Sequence, residues 1–136
     1  MSRSATIALL FALTPLGQAE AAPLPVTPVE RALAFSACAG RFSAAAEFAY
    51  LIPGIAPDLA EDRRDLFAEM VEAVLPHATR AGLPETLPMS VRVEAKAAHA
   101  ALLHRATFAT DDLAATPARA AADHHLAVCE ALILGA

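Results

Sequence analysis

The stretch HHLAVCEALIL, residues 124–134, sets two histidines, a cysteine and a carboxylate within a few helical turns. His125 and Cys129 are four apart, the spacing that stacks two side chains on one helix face. An imidazole and a thiolate so placed could share a metal ion. The chain has one other cysteine, Cys38, and the competing chemistry is a disulfide between the two. A disulfide sulfur is a poor ligand, because zinc and copper bind the thiolate. If Cys129 is oxidised, only His124 and His125 remain, and neighbours in a helix point about 100° apart. That pair is a weak metal site, and His99 and His104, five apart, diverge as well.

Other chemistry is sparse. Ser36, Ser43 and Ser90 lack the Gly-x-Ser-x-Gly elbow that exposes a nucleophilic serine, and Ser43 falls inside a helical pattern. Asp111-Asp112 follow Thr110 and read as a cap or turn rather than as paired catalytic carboxylates. The Cys-x-x-Cys-His needed for covalent haem is absent. A non-covalent haem would need axial ligands such as His125 or His104 with Met70 or Met89, within an alanine-rich core that offers few large aromatics. No catalytic residue, resident cofactor or metal is expected.

The N-terminus bears on the compartment. Arg3 precedes an apolar run, ATIALLFALTPL, and Ala19-x-Ala21 follows as a signal-peptidase site. The run falls short of the roughly 20 residues that a spanning helix needs. Residues 1–21 are therefore expected to be a cleaved signal peptide and 22–136 a single helical domain, periplasmic or secreted, with no stable membrane anchor. Lys96 is the one lysine beside nine arginines, and the formal charge is -5. That acidic balance, with no basic run, argues against a nucleic-acid partner.

Four helices must position whatever chemistry there is. Thr27-Pro28-x-Glu30 is a capping box with proline at the first helical position, and it predicts a helix over 28–51 that Pro53-Gly54 ends. Its stripe is Phe35, Cys38, Phe42, Ala45 and Ala49. The second helix opens at Asp58 with Glu61 as a cap pair and buries Leu59, Leu66, Phe67, Met70, Val71 and Val74. Pro76 should kink or stop it, and Gly82 ends any last turn. The third, about 88–108, carries two neighbouring apolar stripes: Val91, Ala95, Ala98 and Leu102, then Val93, Ala97 and Ala100. Arg92, Lys96 and His99 are expected on its solvent side. Thr116-Pro117 starts the fourth, with ATDDLAA before it as a connection or one extra turn, and its stripe is Ala118, Ala122, Leu126, Cys129 and Ile133.

Short connections predict an all-α, up-down four-helix bundle, in which the first and last helices are neighbours. Cys38 and Cys129 lie on their inner stripes, so the bundle should be stapled by one disulfide. Arg41 and Glu94 are a candidate inter-helical polar pair that would fix register more than add stability. The surplus apolar stripe of the third helix is a candidate contact for an unknown protein partner, with Arg92 and His99 on its rim. CAGRFSAAAEF (38–48) and EAKAAHAALL (94–103) resemble segments of a family of small, uncharacterised secreted helical proteins of alphaproteobacteria. The resemblance implies a periplasmic helical fold and no activity. The expected role is non-enzymatic binding or stabilisation of a protein partner. The alternative is carriage of a small ligand (haem, a metal or an apolar molecule) in the bundle interior.

Overall fold

A computed structural model describes residues 24–135. The expected signal peptide, 1–21, lies outside them. The described residues form helices α1 (Pro28–Leu51), α2 (Asp58–Arg80), α3 (Leu87–Phe108) and α4 (Asp112–Leu134). The capping box is made as the sequence predicts. Thr27 Oγ1 accepts from the Glu30 amide at 3.1 Å, and the Glu30 carboxylate accepts from the Thr27 and Val26 amides at 3.0 Å each. Those backbone donors hold the Glu30 carboxyl below its usual range.

Three helix boundaries refine the expectation. No side chain caps α2, which starts after Pro57. Pro76 does not stop that helix, which runs on to Arg80. Pro76 and Glu72, whose carbonyl loses its usual donor, are both exposed, so the lost hydrogen bond is on the wet side. The helix ends before Gly82, whose φ of 99° only glycine adopts without strain. The fourth helix begins before Thr116-Pro117, because the Asp111 carboxylate accepts from the Leu113 amide at 2.9 Å and nucleates an earlier turn.

The helices form an up-down bundle with α1 as its hub. The start of α1 packs on the end of α2 through Ala32, Val29, Ala78 and Leu83. Its middle meets α2 and α4 in a second cluster, Cys38, Ala39, Phe42, Phe67 and Cys129. Phe67 stacks on Phe42 with ring centroids 5.9 Å apart and tilts against Phe35 at 6.1 Å. In a square bundle the first and third helices would be diagonal. Here α1 packs as extensively on α3 as on α2. Ser36, Ala39, Gly40, Ser43, Ala44 and Ala46 are therefore buried along with the larger apolar stripe. Leu59, expected in the α2 stripe, is exposed instead.

Gly40 permits that approach. A Cβ there would overlap the Arg92 carbonyl oxygen and stand 3.0 Å from the Arg92 carbonyl carbon and the Lys96 nitrogen, all backbone atoms of α3. Backbone cannot swing aside as a side-chain tip can. Alanine would favour the helical state by up to about 1 kcal/mol, whereas overpacking a tight contact costs typically 1–3 kcal/mol and sometimes more. Gly40→Ala should therefore lower stability in urea unfolding, by about 2 kcal/mol net. A stabilised variant would mean that α1 and α3 do not touch there.

Candidate functional site

Two regions gather the residues that the sequence singles out. The first is the disulfide. Cys38 and Cys129 are bonded, with an S–S distance of 2.02 Å and Cα atoms 5.6 Å apart, and both are fully enclosed. The staple therefore joins the first and last helices. On α1, Arg41 lies one turn beyond Cys38, and its guanidinium points a nitrogen at Cys129 Sγ, 3.7 Å away. On α4, His125 lies one turn before Cys129. On α3, His99 closes the group, its ring centroid 6.3 Å from that of His125.

His99 corrects the sequence reading. It was expected on the solvent side of α3 and at the rim of a partner contact, yet it is 1% exposed. The inward line of α3 runs through Pro88, Ala95, His99 and Ala106, with the Arg92 backbone against Gly40. Of the predicted stripe, Val91, Ala95 and Leu102 are half-buried and Ala98 is exposed, so the helix is turned partly away from it. The physical reason is the Gly40 contact, a backbone feature that hydrophobic periodicity does not register. Among the described residues, neither ring nitrogen of His99 has a hydrogen-bond partner. Burial, together with His125 and Arg41, pushes its pKa down to about 4. His125 is lowered too, first by burial and then by Arg41 and His124.

The expected Arg41–Glu94 pair is not made. Among the described residues no carboxylate lies within ion-pair distance of Arg41, and burial lowers its pKa. The polar tie between α1 and α3 is Lys96 to Glu47 instead, at 2.5 Å. Glu94 is exposed on the outer flank of α3. Between α2 and α4, Arg63 pairs with Glu130 at 2.8 Å. His124 is exposed beside His125, with ring centroids 6.2 Å apart. Among the described residues no group of three or more His, Cys, Asp or Glu side chains is arranged to hold a metal ion. For a haem, Met89 and His104 are about four turns apart on α3 and cannot ligate one iron.

The second region is the outer face of α3. Met89, Val93, Ala97, Ala100, His104 and Phe108 follow at spacings of three and four, and all are exposed. Met89 is 60% exposed, Val93 58% and Phe108 55%. The surplus stripe of Val93, Ala97 and Ala100 thus lies outside the bundle, as the centre of a longer apolar line. His104 leans on Phe108 with ring centroids 4.7 Å apart. A groove of about 430 Å³ runs beside Met89 and Val93, with Arg92, Lys96, Glu47 and Arg64 in its walls. Arg92 therefore flanks this face, whereas His99 does not.

An open cleft of about 660 Å³ lies elsewhere, between the start of α1, the middle of α2 and the end of α4. Phe35, Met70, Val74 and Leu132 line it, with Arg31 and His77 among its polar groups. No cue in the sequence pointed to it, because its lining comes from three separate segments and the chain leading into α1. No protein-family model matches the chain, and no similar protein was found among curated proteins or solved structures.

Proposed function

We propose that this is a non-enzymatic periplasmic helical protein that binds or stabilises a protein partner through the outer face of α3. The observation that supports this reading is the exposed line of Met89, Val93, Ala97, Ala100 and Phe108. The hydrophobic effect drives such surface out of water, and a contiguous apolar patch on a folded domain commonly marks a contact site. Small alanines let a partner helix approach closely, while Met89 and Phe108 offer bulk at either end. The Arg92, Lys96 and Glu47 side chains beside it supply a polar rim. A buried disulfide is compatible with an oxidising compartment, and no described helix is long and apolar enough to cross a membrane.

Val93→Glu tests the reading. The side chain is exposed, so the charge should change stability by no more than about 0.5 kcal/mol. In the contact it would be buried unpaired, and association should weaken at least tenfold, on the order of 1.4 kcal/mol or more. Proteins cross-linked to the wild type in its own compartment should be lost with Val93→Glu. Equal capture by both forms would end this reading.

A second reading, carriage of a small apolar molecule, is favoured by the cleft at Phe35 and Met70, whose volume is in the range of small-ligand sites. Native mass spectrometry of the protein from its own compartment separates the two, since a carrier would hold a stoichiometric small ligand.

A further inference from the structure

The polar groups around the disulfide come from three helices, and among the described residues no carboxylate lies within ion-pair distance of Arg41. Arg41 has five N–H donors, and among the described residues its side chain hydrogen-bonds to a disulfide sulfur, a weak acceptor. His125 lies one turn before Cys129 on α4, and the Arg41 charge lowers its pKa. His99 is enclosed beside His125, and its two ring nitrogens have no partner among the described residues. Leaving such a group unsatisfied costs about 1–3 kcal/mol, so a native fold normally matches it with something. A neutral imidazole keeps one N–H donor. Together the three side chains present donors and a fixed positive charge.

We propose that Arg41, His99 and His125 form a binding site for a small anion, of the size of chloride or formate. A metal cation is disfavoured there because the guanidinium stays charged and would repel it. The charges on the surrounding elements are exposed or paired. On α4, Asp123 and His124 are exposed, and Asp123 raises the His99 pKa less than burial, His125 or Arg41 lowers it. Glu130 is engaged by Arg63 of α2, and Lys96 of α3 by Glu47 of α1. An anion beside the two imidazoles favours their protonated forms, so binding takes up protons and tightens as pH falls.

The experiment follows the histidine ring signals by NMR while chloride, and separately formate, replaces gluconate at constant ionic strength. A saturable shift of the His99 and His125 rings is expected, at least about threefold tighter near pH 5.5 than near pH 7.5. Response to chloride, to formate or to both distinguishes a halide site from a carboxylate site. Arg41→Gln should abolish the saturable shift, and Arg41→Lys should retain part of it. Should Arg41→Gln not fold, the wild-type pH dependence decides alone, and its absence overturns the site. Shifts that gluconate reproduces, or that persist in folded Arg41→Gln, also overturn it. So does zinc binding to the same two rings with proton release.

Discussion

Replacing both Cys38 and Cys129 with alanine is expected to lower the stability of the domain by roughly 4 kcal/mol, the largest effect of any change considered. The bond closes a loop with a sequence separation of 91. Chain entropy alone assigns such a loop about 4–5 kcal/mol, because the cross-link removes conformations from the unfolded ensemble. Between α1 and α4 little else substitutes for it, since α1 packs far less extensively on α4 than on α2 or α3, and α4 otherwise rests mainly on α3. Differential scanning calorimetry should show a Tm lower by roughly 15 °C for a domain of this size. Hydrogen exchange should show α4 losing protection before α1 and α2. The wild type under reductant should behave as the double variant does. A Tm within a few degrees of the oxidised wild type would mean that apolar packing, not the cross-link, holds α4.

The second large effect is acid sensitivity, and it comes from one side chain. His99 is neutral in the fold, with a pKa near 4 against an ordinary 6.5. Its folded value is depressed, so the unfolded chain binds the proton first. Stability is then fully present above pH 6.5 and falls as pH drops towards 4. Each pH unit in that window costs about 1.4 kcal/mol, for a total on the order of 3 kcal/mol. His125, lowered in the same direction, adds to the loss. Carboxylates such as Glu30 and Asp65, held below their usual values, lose their contribution only at lower pH. Urea unfolding between pH 7 and pH 5, in gluconate buffer, should therefore show a slope that His99→Leu largely removes. Leucine should be tolerated at neutral pH, because it fills similar space and takes two unpartnered nitrogens out of the core. An unchanged slope in His99→Leu would place the acid sensitivity elsewhere.

The fold was legible where local chemistry dictates it. Thr27, Pro28 and Glu30 specify one helix start, Gly82 one end, and the two cysteines a staple between helices that had to be neighbours. The stripe of α4 through Ala118, Ala122 and Cys129 is buried as its spacing predicts. Periodicity misled where a helix has more than one buried face. α1 is enclosed by three neighbours, and the residues that let them approach are serines, alanines and Gly40, which carry little hydrophobic signal. The rotation of α3 follows from Gly40, so a rule that places histidine outside and alanine inside misplaced part of that helix. Ala97 and Ala100 are exposed, and His99 is buried. The disulfide half of the polar cluster was readable from the sequence, but its convergence on His99 was not. It depends on which turn of α3 faces Gly40, and that is a tertiary fact.

The staple also has a topological consequence. Because it joins the first and last described helices, both inter-helix connections that precede α3 and the one that follows it lie inside a covalent ring. A protease that cut the exposed Pro53-Gly54 turn, or the Gly82 turn, would nick the chain without releasing a fragment. The severed ends would stay at high effective concentration, held by Cys38 and Cys129 and by the packing around Phe67. A domain closed in this way resists fragmentation through its connectivity, and that persistence is separate from its resistance to heat or urea.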